Sequence, residues 1–262
     1  MMSRLQKKFD ELKTLNKTGL VIYLTAGLPD FEGTIRAFKL AEQAGADIIE
    51  LGIPFSDPMA DGPIIQAASY QAIKNGMTLP KVLGLVKEIR KFSQLPIMGM
   101  GYINNMLNYG FEKLAVDAKA AGMDGFIIPD VPHEESEEMR RVCSGQGLHL
   151  VEFVTPGTTD ERIKETCTTA DGFIYCVSVN GVTGVREIDY TPINNVIAHV
   201  KKQTDTPCAV GFGIGSPAAA VKAAAKADAV IVGSAVVKLI MEDRFEEAGE
   251  LISAIRQALD KR

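Results

Sequence analysis

Eight short, mostly apolar runs, separated by longer helical patterns, constrain this chain more than any other feature. They fall at 20–24, 48–51, 96–100, 125–128, 148–153, 172–177, 207–210 and 229–232. Each is bounded by Gly, Pro, Asp or Asn, as a strand between turns is. A strand that is apolar at every position is buried on both faces, as in a parallel sheet covered by helices. The segments between carry helical signals at 34–43, 111–121, 134–143, 160–166 and 192–202. The segment 134–143 is acidic at its start and basic further on, which suits a helix dipole. Ser216-Pro217 supplies an N-cap followed by a proline at the first helical position. Eight such β–α units predict the α/β class and a single (β/α)₈ TIM barrel over residues 1–262, with an open doubly wound sheet as the alternative. Residues 3–14 read as an extra N-terminal helix closing the bottom of the barrel.

Composition removes several classes of function. A net charge of −5 leaves no excess of Lys and Arg to neutralise a nucleic-acid backbone. No apolar run is long enough to span a membrane, and the N-terminal MMSRLQKKFDELK has no apolar leader core. The four cysteines, Cys143, Cys167, Cys176 and Cys208, show neither Cys-x-x-Cys nor zinc-ligand spacing. Free thiols of this kind predict the reducing cytoplasm.

In a barrel of this type the reacting groups stand where strands end. The richest such junction is IELGIPFSDPMADGP, residues 49–63. Glu50 interrupts an apolar strand. It is either an acid/base group whose pKa the interior raises, or one half of an internal ion pair. Asp57 and Asp61 follow on a proline-rich loop, where an Asp also serves ordinary turn chemistry. Glycines recur after the last strands, at Gly181, Gly184, Gly211, Gly213 and Gly233, with Ser234 beside the last. Glycines before helix N-termini admit a phosphate to free backbone N–H groups, although glycines also simply end strands.

The segment IELGIPFSDPMADGPIIQ closely resembles the signature of the tryptophan synthase alpha subunit family. YLTAGLPD, IIPDVPHEES, GFIYCVSVNGVTG, GFGIGSP and IVGSAVVK extend that resemblance along essentially the whole chain. The resemblance implies a lyase that cleaves indole-3-glycerol phosphate into indole and glyceraldehyde 3-phosphate by a retro-aldol reaction. It assigns Glu50 and Asp61 as the catalytic carboxylates, with Tyr175 beside them; a packing role for Tyr175 is the alternative. It assigns Gly184, Gly213, Gly233 and Ser234 to the substrate phosphate. Tyr102 and Phe212 fall near the indole ring, and Thr183 on a closing loop. It further implies a pyridoxal-phosphate beta subunit docking at Asp57, Pro58 and Asn104 in an alpha2-beta2 tetramer. No cofactor or metal is expected in this chain itself.

Some positions depart from the family pattern. Asn105 stands where a Pro is usual, Ile64 where Thr is common, and Val179-Asn180 where a more polar or basic pair precedes Gly-Val-Thr-Gly. Other readings stay open. A Schiff-base aldolase needs an interior lysine, whereas Lys201, Lys202 and Lys238 fall on helical segments. A metal aldolase needs clustered ligands, and His133, His149 and His199 are isolated in sequence. A stand-alone indoleglycerol-phosphate lyase and a mainly allosteric activator of a beta subunit are the remaining alternatives.

Overall fold

The computed structural model describes residues 2–178 and 188–262. Its strands are β1 Gly19–Thr25, β2 Ile48–Gly52, β3 Ile97–Met100, β4 Gly125–Ile127, β5 His149–Leu150, β6 Glu152–Val154, β7 Ile174–Val177, β8 Cys208–Gly211 and β9 Ala229–Val232. All pair in parallel, in the order β5-β4-β3-β2-β1-β9-β8-β7-β6. The two ends of that order are consecutive in the chain and separated by Val151 alone. The sheet therefore closes into a TIM barrel, and the open-sheet alternative falls. The run expected as one strand over 148–153 is one stave in two pieces. Its first half bonds to β4 and its second to β7, as a tilted stave does when it meets its neighbours at different heights.

Around the barrel lie α1 Arg4–Thr14, α2 Phe31–Gln43, α3 Pro63–Lys74, α4 Leu79–Ile89, α5 Ile103–Tyr109 and α6 Phe111–Ala121. They continue as α7 Glu137–Gly145, α8 Asp160–Thr169, α9 Thr191–Val200, α10 Pro217–Ala223, α11 Ser234–Met241 and α12 Phe245–Asp260. The helix expected from residue 134 begins instead as a 3₁₀ turn, His133–Glu135, and α7 starts after Ser136. The Ser136 hydroxyl donates to the His133 carbonyl at 2.6 Å, which satisfies an acceptor the regular helix would have used. The expected cap at Ser216 is present, its Oγ accepting the Ala219 N–H at 3.2 Å. No helix among the described residues is long and apolar enough to cross a membrane.

Helix α1 closes the bottom, as its pattern predicts. Leu5, Phe9 and Leu12 form its buried face at helical spacing. Leu12 packs beside Gly19 at the foot of β1, and the Phe9 ring lies 6.0 Å from that of Phe173, just ahead of β7. A polar clamp locks this end. Asp124, buried before β4, accepts from Arg4 at 3.0 Å, from Arg90 at 2.8 Å and from the Ile97 amide at 2.9 Å. Substituting Asp124→Ala would leave the largely buried Arg90 without its carboxylate. Removing one partner of a buried pair typically costs about 3–5 kcal/mol. Urea unfolding should register a loss of that order, with Arg4→Ala costing distinctly less because Arg4 is partly exposed.

Candidate active site

Strand register brings the chemistry to one place. Tyr23 on β1, Glu50 on β2 and Met98 on β3 are paired residues in adjacent strands, so their side chains share the inward face. Across the barrel, Phe153, Tyr175 and Ala209 are matched in the same way. The Tyr175 ring stacks on Phe153 at 5.3 Å and meets Phe212 edge-on at 6.3 Å.

Glu50 is 2 % exposed, and its Oε2 has no protein hydrogen-bond partner. The internal ion pair considered as an alternative is absent among the described residues; the charge that acts on Glu50 is that of Asp61. Burial, reinforced by that like charge, pushes its pKa up to about 8. Asp61 is 8 % exposed. Burial raises its pKa to about 6, and the Tyr102 hydroxyl close by acts in the opposite direction. Near neutral pH the pair therefore divides into a protonated Glu50 and an ionised Asp61.

The loop that carries Asp61 is held from two sides. The Tyr102 hydroxyl accepts the Ala60 N–H at 3.1 Å, and the Gln66 amide donates to the Asp61 carbonyl at 2.8 Å. Tyr102 is thus a buried post for this loop, with Phe55 stacked on its ring at 5.3 Å. At the outer surface Asp57 is exposed and receives the Ser56 hydroxyl, Pro58 is half-buried, and Asn104 is exposed.

The glycine positions gather beside β8 and β9. Phe212 and Gly213 both have left-handed backbone, φ 73° and 72°. A non-glycine residue in that region is strained, and strain of this kind collects at functional sites. The Phe212 carbonyl accepts from the Ser178 hydroxyl at 2.9 Å and the Gly213 carbonyl from Tyr190 at 3.3 Å, which fixes the turn. The Ile188 side chain fills the space where a Gly213 Cβ would stand. Gly215 comes next to Ala235 in the first turn of α11, so the loop after β8 adjoins the helix that Gly233 and Ser234 begin. Thr183 and Gly184 lie outside the described residues.

The other aldolase chemistries find no support in the described residues. Lys201, just past α9, pairs with Asp228 at 2.7 Å, ahead of β9 and away from the mouth. His133, His149 and His199 pair singly with Glu152, Asp171 and Asp160. No group of three or more His, Cys, Asp or Glu could hold a metal among the described residues. A cavity of about 500 Å³ lies behind Phe153, between the loops at 128–133 and 155–158. Its two acidic groups are already engaged, Glu152 by Arg140 and His133 and Asp130 by the Ile103 amide.

Comparison with known proteins decides the family. The family model described as tryptophan synthase alpha chain matches residues 9–260. The chain belongs to the tryptophan synthase alpha chain family. It is 43 % identical to the tryptophan synthase alpha chain of Geobacter sulfurreducens, with 98 % of this chain and 99 % of that one covered. It is 41 % identical to that of Caldanaerobacter subterraneus subsp. tengcongensis, covering 98 % and 100 %. The crystal structure of tryptophan synthase subunit alpha from Legionella pneumophila superposes with a TM-score of 0.91 at 36 % identity over the full length of both chains. The chain is accordingly a carbon–carbon lyase of tryptophan biosynthesis, acting on indole-3-glycerol phosphate.

Two polar residues in this mouth escaped the sequence reading: Tyr23 and Thr25, both buried on β1. The only sign of Tyr23 was one hydroxyl inside the run LVIYL.

The buried carboxyls carry a consequence for stability. The folded-state pKa of Glu50 lies above its ordinary value, so the native state holds a proton that the unfolded chain releases from about pH 4.5 upward. Stability contributed at low pH is therefore lost as pH rises toward about 8. Glu50→Gln removes the titrating group. Urea unfolding should find the variant more stable than the parent by up to a few kcal/mol at pH 9, with the gap closing toward pH 4.5. An equal gap at both pH values would contradict a raised Glu50 pKa.

Proposed function

We propose that Glu50 and Asp61 perform the cleavage with divided roles. Protonated Glu50 delivers its proton to C3 of the indole, giving an indoleninium whose N1–H is held by ionised Asp61. The Glu50 carboxylate then removes the proton of the C3′ hydroxyl as the C3–C3′ bond breaks. The bond electrons return to the ring, which leaves as indole, and C3′ becomes the aldehyde carbon of glyceraldehyde 3-phosphate. Glu50 ends protonated, so the cycle closes without an external acid. The observation that carries this reading is the pair itself: two buried carboxyls, one pushed to about 8 and the other to about 6. The free Oε2 of Glu50 is the atom available to substrate.

Tyr175 supports the carboxyl from across the barrel. Phe212 and Tyr102 border the indole, and Thr183 closes over it. Gly184, Gly213, Gly233 and Ser234 take the phosphate, helped by the positive end of α11. The activity of kcat/KM should follow a bell, falling below about pH 6 as Asp61 protonates and above about pH 8 as Glu50 ionises. Glu50→Gln should lower kcat by a factor of about 100 to 10,000 while substrate still binds. Near-normal turnover in that variant would remove Glu50 from the reaction.

The same loop supports a partner. Asn105, standing where a Pro is usual, donates its side-chain amide to the Pro54 carbonyl at 3.2 Å and so ties the 54–60 loop to α5. Together they present Met59, 79 % exposed, and Leu107, 57 % exposed, beside Asp57, Pro58 and Asn104. This mixed apolar and acidic face suits a tryptophan synthase beta chain that carries pyridoxal phosphate, in an alpha2-beta2 tetramer working in the cytoplasm. This chain itself takes no cofactor in that reading. A partner that orders the loop also orders Asp61, and substrate must in turn tighten the partner, by about 1–3 kcal/mol in typical couplings. Asp57→Ala should reduce activation by added beta chain and spare the basal lyase rate. If titration with a beta chain changes neither the sedimentation of this chain nor its rate, a stand-alone lyase replaces the subunit.

A further inference from the structure

The cavity of about 500 Å³ behind Phe153 is separate from the barrel mouth. Phe153 pairs with Tyr175 and faces inward, so Glu152 before it faces outward. The cavity lies on that outward side, between the staves β5 and β6 and the helices α7 and α8, which add Met139 and Thr166 to its wall. Its size falls within the ordinary range for small-ligand sites.

The charged groups that line it are unequally served. Glu152 receives Arg140 at 2.5 Å, His133 at 3.1 Å and the Thr169 hydroxyl at 3.1 Å. Asp130 receives the Ile103 amide at 3.0 Å. Both acids are thus supplied with donors, and the spare capacity is on a cation. Arg162 lines the cavity from α8, and its side-chain partner among the described residues is Glu134, 2.6 Å away on the 3₁₀ turn. The two side chains of that pair are 45 % and 55 % exposed, and an exposed ion pair adds little stability. A guanidinium carries five N–H donors in a fork that fits a carboxylate, so Arg162 can exchange Glu134 for another anion at small cost. The wall around it is apolar, with Ile128, Val131, Met139 and Leu150. An apolar wall with one available guanidinium selects an anionic head on a compact apolar body.

The cavity is also tied to the loop that carries Asp61. Asp130 holds the Ile103 amide at the start of α5, and the residue before it, Tyr102, is the post under Ala60. Met106 of the same helix and Ile53 both close over Gly101, at the root of that loop. We propose that this cavity is a second ligand site: it takes a small carboxylate with an apolar body, whose head displaces Glu134 from Arg162 and whose presence reaches the Asp61 loop through Asp130 and α5.

Methionine methyl groups stand in each part of this path, so ¹³C-methyl methionine NMR of the full chain, titrated with phenylacetate, reads them together. Signals are assigned by their loss in Met139→Leu, Met106→Leu and Met98→Leu. Met139 in the cavity should shift saturably, and Met106 on α5 should follow with the same midpoint. Met98, on the inward face of β3, should stay in place. Arg162→Ala should weaken binding by about tenfold or more, and phenylacetamide, which has the body without the charge, should bind more weakly than phenylacetate by a similar factor. Glu134→Gln should tighten binding by about two- to fivefold, because the ligand no longer competes with a carboxylate. Asp130→Ala should keep the Met139 shift and abolish that of Met106. A response of Met98 without Met139 would put phenylacetate in the mouth and overturn the proposal. Equal affinity for phenylacetamide, or a Met106 signal that stays put while Met139 saturates, overturns it as well. Should Arg162→Ala disturb α8, Glu134→Gln still decides: an affinity unchanged or lowered in that variant means that the head does not meet Arg162.

Discussion

Everything in the mouth of this barrel depends on one constraint: a carboxyl sits inside a closed apolar sheet with no cation among the described residues to meet it. Strands buried on both faces take Glu50 out of solvent, and no cation among the described residues offsets the loss. In such a place a carboxyl keeps its proton. The barrel converts a side chain that is ordinarily a base at neutral pH into an acid. Asp61 enters the same mouth from a loop rather than a strand, is less deeply buried, and ionises first. The difference in depth between a strand residue and a loop residue is thus the physical origin of the difference between the two carboxyls.

Much of this was legible in the sequence, for a definite reason. A parallel barrel writes its strands as short apolar runs, and each of the eight appears in the fold at the expected place, the fifth as β5 and β6. Glu50 was conspicuous because it breaks such a run, and Ser216-Pro217 because capping is local chemistry. The motif resemblance supplied the family, and it also pointed to Tyr102 and Phe212, although the fold gives Tyr102 a different prominence, as the post that holds the Asp61 loop.

Tyr23 shows where sequence reasoning stops. When both faces of a strand are buried, alternation cannot tell an inward residue from an outward one. Only the pairing of Tyr23 with Glu50 puts its ring inside, and only the position of its hydroxyl explains why β2 ends in glycine. The 3₁₀ turn ahead of α7 was hidden in another way. Acidic and basic residues in the right order favour a helix, but a single serine hydroxyl bonding back to a carbonyl decides where it starts.

The two ends of the barrel are joined by rings. Phe9 of the basal helix meets Phe173, Phe173 lies 6.4 Å from Tyr175, and Tyr175 touches both Phe153 and Phe212 at the mouth. Stacked aromatic groups repack in discrete steps rather than bending smoothly, since the interior has little free volume. The position of the Tyr175 hydroxyl over Gly211 is therefore set from below as well as from the side. The helix that closes the floor, with its clamp at Asp124, holds up the same column that ends near the buried carboxyls Glu50 and Asp61. Barrel stability and the geometry of the mouth are in this respect one packing problem: the floor fixes where the column stands, and Gly211 at the end of β8 fixes how closely the Tyr175 hydroxyl approaches that strand.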